Sequence, residues 1–374
     1  MRSLSAAIVL LLAGCASSMG PVSEAPDPRG TLTFTADTPI HIAVVTAGSP
    51  PGLAAVGSEQ EAGAEQALTD SGTDLPIVLE TFQDGCDAES AAAIADSIAA
   101  AGDIIAVVGH TCSTACEAAA PIYEAVNITM ISPSCGASTL VDTINYVDSF
   151  TRTIHDDQLE GTLAASFAFS ELGARTALLI DDGTVNTVHF TQAFSTQFRS
   201  VNGSVVVAPT FDDDEDWYTQ MLAFVQDGQV GVIYAPLLPD SSALLLEQLQ
   251  AAQVDVPLIA HHMARSEWMG DQAAGYPLYA TGPYLEQDRF ASASYWASYD
   301  ATALLLNALG EVAQQRGDSI HVGQQALRDA ITSTSSYQGA TGLLTCTPQG
   351  DCSASQLAVA RLNDSGWQVV FIPR

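Results

Sequence analysis

From residue 41 the chain alternates short apolar runs with longer helical stretches. His41–Thr46 (HIAVVT), Pro76–Phe82, Ile104–Gly109 (IIAVVG) and Ile128–Ser132 are apolar runs with little polar alternation. That is the pattern of parallel strands buried on both faces. Between them, Ser58–Thr69, Ala88–Ala101 and Thr114–Val126 have helical composition, with Asp87 placed as an N-cap. The rhythm then restarts. Leu159–Leu172, Thr187–Val201, Asp214–Gln226 and Ala243–Ala252 read as helices. Arg175–Asp181, Ser204–Pro209, Val230–Ala235 and Pro257–His261 read as the strands among them.

Two successive βα series predict an α/β protein of two doubly wound, Rossmann-like lobes. After Tyr279 the order changes. Long helices are expected at about Ser292–Gln315 and Gln324–Thr334, and strands at Gly342–Thr345, Gln356–Leu362 and Trp367–Ile372. Elements that complete each lobe in turn imply three crossovers, expected near Phe150–Thr153, Ala280–Pro283 and Gln338–Thr341. The first lobe is then 39–152 plus 283–338, and the second 153–282 plus 339–374. Ligands of such sheets collect beyond the carboxyl ends of the strands, so facing lobes form a cleft that can hinge shut.

Composition narrows the chemistry. The 374 residues carry 43 acidic and 11 basic side chains, a formal net charge of −32, and every basic residue is arginine. Nucleic acid is excluded as a partner, because phosphate binding needs clustered cations. The absence of lysine removes Schiff-base chemistry and the lysine-dependent phosphate loop. Hydrophobic content of 47% argues for folded cores rather than an acidic disordered chain.

Residues 1–15 (MRSLSAAIVLLLAGC) place one arginine before an apolar run too short to span a bilayer, which takes roughly 20 apolar residues. They read as an export signal. Leu12-Ala13-Gly14-Cys15 resembles the lipobox of bacterial lipoproteins, which implies lipidation of Cys15 and membrane anchoring at the cell surface or in the periplasm. Residues 16–38, rich in Ser, Pro, Gly and Asp, read as a flexible tether. Six cysteines remain, an even number that suggests disulfides in an exported protein. Cys346 and Cys352 flank a turn sequence and are expected to pair; Cys86, Cys112, Cys116 and Cys135 allow three pairings.

Several segments together resemble the leucine/isoleucine/valine-binding proteins, extracytoplasmic solute receptors of branched-chain amino acid ABC importers with the type I periplasmic binding fold. The segments are Ile42-Ala43-Val44-Val45, Gly63-Ala64-Glu65-Gln66-Ala67, Cys86-Asp87, Ile105–Ser113 (IAVVGHTCS), Ala120–Glu124, Met130–Pro133, Phe150–Thr153 and Tyr337–Gly342. The resemblance runs from about residue 40 to the end. It implies a Cys86–Cys112 disulfide, leaving Cys116 and Cys135 as an extra pair. It also implies carboxylate binding by Ser113, beside Thr114 at a helix N-terminus where amides hold anions. Further contacts are expected from Ser134, Cys135 and Gly136, where glycine replaces the family's threonine. From the second lobe, Asn186 and Leu237 are expected in the cleft, at positions where relatives often carry tyrosine, as they do at the position of Val56. His262 stands where the family places the acid that pairs with the substrate ammonium, and Asp181 or Asp182 is the alternative acid.

The resemblance therefore implies a monomeric lipoprotein that binds an amino acid or related small carboxylate and delivers it to an ABC permease. The competing reading is an outer-membrane lipoprotein that regulates an envelope partner with little ligand binding; Ala16 after Cys15 gives no retention signal of the enterobacterial kind. No cofactor and no metal is expected. His261 and His262 are adjacent, and neighbours on a strand point to opposite faces. Asp212–Asp216 lacks the glycine and distal glutamate of a calcium loop and reads as acids at a helix N-terminus. With no GxSxG and oxidised cysteines, no enzyme is expected.

Overall fold

The computed structural model describes residues 26–373 apart from 36, 145, 227, 274, 286–292 and 354–355. The export signal and Cys15 lie outside the described residues. Two parallel sheets form. In the first lobe the strand order is Ile77–Asp84, Ile40–Ala47, Ile104–Gly109, Thr129–Ser132, Phe150–Arg152, every pair parallel. The strand Ile104–Gly109 is buried at all of its positions, as its unbroken aliphatic run requires.

The second sheet runs Ser204–Val207, Thr176–Leu179, Val232–Tyr234, Leu258–Ala260, Leu278–Pro283, Leu357–Asn363, Gly366–Phe371. The first five are parallel and the last two add an antiparallel edge. Leu178, Ile233 and Leu258 anchor one face of this lobe's core, and Phe194, Phe198 and Tyr234 the other. Among the described residues no helix is long and apolar enough to cross a membrane.

Helix Pro51–Ser71 packs along helix Ala293–Val312, which returns to the first lobe after Pro283. A Cβ at Gly63 would lie 2.1 Å from the Tyr295 carbonyl oxygen, so this approach requires glycine there.

Three expectations are corrected. The tether is ordered at its C-terminal end: Thr31–Thr35 is a strand paired antiparallel to Ser319–Gly323, with Phe34 buried in the first-lobe core. The long returning helix ends at Val312, and the last residues expected in it fall in strand Gln314–Arg316, which pairs antiparallel with Ser319–Gly323. The last crossover comes later than expected. Residues Tyr337–Cys352 stay with the first lobe, where Cys346 and Cys352 pack on the core, Cys352 N donates to the Arg152 carbonyl at 2.8 Å, and Thr341 Oγ1 donates to Asp300 at 2.6 Å. The chain enters the second sheet only at Leu357. The antiparallel partner of Leu357–Asn363 is accordingly Gly366–Phe371, while Leu343–Leu344 pairs with Tyr337–Gln338.

Three disulfides form: Cys86–Cys112, Cys116–Cys135 and Cys346–Cys352. The first joins the segments that follow strands Ile77–Asp84 and Ile104–Gly109, and the second ties helix Ser113–Ala125 to the loop after Thr129–Ser132.

Candidate functional site

The first-lobe face is built where strand Ile104–Gly109 runs into helix Ser113–Ala125. His110 is locked between Asp84 (Nδ1 to Oδ2, 2.5 Å) and the Tyr123 hydroxyl (Nε2, 3.0 Å). Thr111 donates to Gln60 Oε1 at 2.7 Å and accepts from Ala47 N at 3.0 Å. Ser134 donates to the Thr111 carbonyl at 2.6 Å and accepts from Gln60 Nε2 at 3.0 Å. The Ser113 hydroxyl accepts from Ala137 N at 3.2 Å. The helix N-terminus and the 134–137 loop are thereby held against each other before any solute arrives.

Gly136 shows why the family's threonine is missing. Its carbonyl accepts from Asp157 N at 3.0 Å and Arg152 Nη1 at 2.8 Å. A Cβ there would lie 2.0 Å from Asp157 Oδ1. The second-lobe helix Asp157–Ser170 thus places a carboxylate in the space that a threonine side chain would need.

The second-lobe face centres on Glu160, fully buried. Its Oε1 meets His155 Nε2 and, at 2.7 Å, His262 Nδ1; its Oε2 accepts from Thr281 Oγ1 at 2.7 Å and His262 N at 3.3 Å. Four donors fill the four lone-pair directions of one carboxylate. Burial alone would raise the Glu160 carboxyl, but the His262 and His155 charges and their hydrogen bonds hold it well below the usual carboxylate range. Asp157 shifts the other way: burial, then the Glu160 charge, pushes it well up, with Arg152 opposing. Burial pushes His261 down to about 3, so it is a neutral imidazole whose Nε2 meets the Leu237 carbonyl at 3.0 Å. The expectation that His261 and His262 point to opposite faces is corrected: the strand ends at Ala260, His262 opens a 3-10 turn, and the two rings meet edge to face with centroids 4.9 Å apart.

The lobes touch directly. Thr114 N donates to Asn186 Oδ1 at 3.1 Å, and Asn186 Nδ2 donates to Thr114 Oγ1 at 2.9 Å. On another side, Asp240 accepts from Gly52 N (2.8 Å) and Leu53 N (3.0 Å) at the start of helix Pro51–Ser71. Leu53, Val56 and Met263 form one apolar cluster, with Leu238 packed against it. The structure therefore brings Ser113, Thr114, Ser134, Cys135, Gly136, Asn186 and His262 to one buried junction. Leu237 is different: it packs inside the second-lobe core, and Leu238 meets the first lobe instead. Asp181 and Asp182 are used in the turn before helix Val185–Ser200, accepting from Thr191 and from Thr184 and Thr187. Asp213 and Asp214 likewise bind their own helix start, at Tyr218 and Trp217.

Sequence reasoning passed over His155, Asp157, Glu160 and Asp240. Nothing in the pattern joins Glu160 to His262, 102 positions away.

With this geometry in view, similarity to known proteins is informative. A family model described as receptor family ligand binding region matches residues 65–276. The Leu/Ile/Val-binding protein of Citrobacter freundii is 27% identical over 248 residues, covering 65% of this chain and 63% of that protein. This chain thus spans a little under two thirds of the length of that relative. Among solved structures, a leucine-binding protein from Thermotoga maritima superposes with a TM-score of 0.78 at 19% identity, covering 89% of this chain and 98% of the other. A solute-binding protein of an R. palustris ABC transporter, in complex with benzoate, superposes at 0.75 with 15% identity, covering 89% and 96%. The named relatives are binding proteins rather than enzymes, and the structural likeness carries the fold. The chain belongs to the receptor family ligand-binding region, with the two-lobed type I periplasmic binding fold of the leucine/isoleucine/valine-binding proteins.

Proposed function

We propose that the protein is the extracytoplasmic solute-binding component of an ABC importer, a monomer tethered through a lipidated Cys15, which takes up an amino acid or related small carboxylate between its lobes. The observation that carries this reading is the junction itself. Polar groups of both lobes meet there, largely out of solvent, and the part-buried contacts Thr114–Asn186 and Asp240–Gly52 latch it shut. Solute binding favours this closed arrangement, and the permease reads the closed shape.

On the first lobe, Ser113, Thr114, Ser134 and the Cys135-Gly136 backbone lie at or beside the N-terminus of helix Ser113–Ala125, a setting suited to a carboxylate. On the second lobe, Asn186 and His262 complete the enclosure, and Leu238 takes the apolar place expected of Leu237. Glu160 is saturated by its four donors, so an ammonium would have to be met by Asp157 or by solvent. This favours a carboxylate whose remainder is weakly polar over a doubly charged one. The names of the relatives, one for branched-chain amino acids and one for benzoate, span that range.

A thermal-shift screen over amino acids and small aliphatic and aromatic carboxylates tests the reading. A true solute at 100 times its dissociation constant stabilises by roughly 2.7 kcal/mol, and Asn186→Ala should weaken the response. A library with no stabilising member would favour the regulatory lipoprotein instead.

A further inference from the structure

The most unusual chemistry of the molecule is on the second-lobe side of the junction, in a cluster that shares only His262 with the proposed solute enclosure. His155 Nε2, Glu160 Oε1 and His262 Nδ1 all lie within 4.8 Å of one another, and all three residues are buried. It is the only such three-residue group among the described residues. Each ligand comes from a different rigid piece. His155 is on the connection out of the first lobe, Glu160 on the first turn of helix Asp157–Ser170, and His262 just beyond strand Leu258–Ala260. Thr281 holds the second oxygen of Glu160 at 2.7 Å and so orients the carboxylate from behind.

Two further observations point into the same region. Asp157 Oδ2 and the Tyr234 hydroxyl are buried without a hydrogen-bond partner among the described residues. Asp157 lies one helical turn from Glu160 on helix Asp157–Ser170, and Tyr234 is on the strand paired with Leu258–Ala260, just beyond which His262 lies. Glu160 has its four donors, but Asp157 Oδ2 is a buried oxygen without one, and a buried polar group calls for a compensating partner.

We propose that His155, Glu160 and His262 form a binding site for one divalent transition-metal cation of the zinc class. Two imidazoles and one carboxylate are an ordinary donor set for such an ion, and a fourth position is left for water or for an oxygen or nitrogen of a bound solute. The cation replaces the hydrogen bonds between the imidazoles and Glu160, each ring ligating as a neutral imidazole with its N–H on the other nitrogen. Its positive charge is met by the Glu160 carboxylate. All three ligands precede or belong to the second lobe, so the ion enters while the lobes are apart and is enclosed when they meet.

The test is titration of the purified, EDTA-treated protein with Zn2+ alone in 0.5 M NaCl and excess Mg2+, conditions that suppress loose binding to surface carboxylates (about 3 Å Debye length near 1 M salt). One ion per chain should bind saturably, and Co2+ should give the visible absorption of a nitrogen–oxygen site. His155→Ala, His262→Ala and Glu160→Gln should each weaken binding by at least about a hundredfold, since even partners that merely orient a ligating histidine cost about 10–100-fold. His321→Ala, whose ring meets Thr33 away from the cluster, should bind as the parent does. Absence of saturable one-to-one binding by the parent protein overturns the proposal whether or not a variant folds. So does binding that survives in His155→Ala and His262→Ala. Neither outcome bears on solute capture, which is read separately in the carboxylate screen.

Discussion

Thr114 and Asn186 exchange two hydrogen bonds across the lobe junction, at 3.1 and 2.9 Å, although 72 positions separate them in the chain. Each uses its partner's donor and acceptor together, so neither side chain is satisfied in this way when the lobes part. Neutral hydrogen bonds contribute about 1 kcal/mol each. Asn186→Ala should therefore shift the open–closed equilibrium toward open by about 2 kcal/mol, roughly thirtyfold. Small-angle X-ray scattering of the variant should show a larger radius of gyration. An unchanged radius would mean that other contacts hold the lobes together.

The Gly136–Asp157 contact predicts a coupled pair. Gly136→Ala places a methyl group 2.0 Å from Asp157 Oδ1, with Asp157 Cγ and the His155 carbonyl oxygen each at 2.9 Å. Overpacking of this kind costs about 1–3 kcal/mol. Asp157→Ala should recover most of that loss in the double variant, because it removes the obstructing atom. Chemical denaturation of the four members of the cycle measures the coupling. Additive losses would show that the glycine serves some purpose other than making room for Asp157.

The strands and helices were legible because a parallel strand buried on both faces must be apolar throughout, as in Ile104–Gly109, and such runs are rarely mistaken. Strand Thr31–Thr35 was not legible: it sits in a Ser/Pro/Gly/Asp-rich stretch, and only Phe34 and its long-range partner Ser319–Gly323 make it a strand. The last crossover was placed too early because Tyr337–Gly342 offers a turn-rich break. The Cys346–Cys352 loop and Asp351, bound to Arg152 at 2.7 Å, keep that segment on the first lobe. Of the residues named from resemblance, Ser113, Ser134, Asn186 and His262 lie at the lobe junction, while Leu237 packs in the second-lobe core. Resemblance could not supply Glu160, whose partners are set by tertiary packing alone.

Asp240 caps a helix from the opposite lobe. The first backbone groups of helix Pro51–Ser71 have no side-chain cap of their own, and Asp240 accepts from two of them, Gly52 N and Leu53 N. Its charge also complements the positive end of the helix dipole. Asp240→Ala should cost about 1 kcal/mol, the usual value of a cap. The loss should fall on the closed form, because the contact exists only when the lobes meet. A lower apparent affinity for the solute, with a nearly unchanged denaturation midpoint in its absence, would be the signature. Equal losses in both measurements would place the contribution in folding rather than closure.

Arg152 ties the first connection between lobes to the last. Fully buried, it donates to the Gly136 and Ala137 carbonyls at 2.8 and 3.1 Å, to Asp156 at 3.1 Å and to Asp351 at 2.7 Å. Burial would raise the Asp351 carboxyl, yet the Arg152 charge and hydrogen bond, with those of Ser353, hold it below its ordinary value. The sign of the pH effect follows. A carboxyl with a lowered folded-state value contributes stability above its unfolded value, roughly 3.9, and loses that contribution as pH falls through the folded value. Asp351→Asn should then be less stable than the parent at neutral pH, and the gap should narrow steadily below about pH 4. Arg152→Met should be worse at every pH, by about 3 kcal/mol, because it strands a partly buried carboxylate and two carbonyls. Urea denaturation from pH 7 to pH 3 checks both; a gap between parent and Asp351→Asn that stays constant with pH would show that Asp351 acts by shape and not by charge.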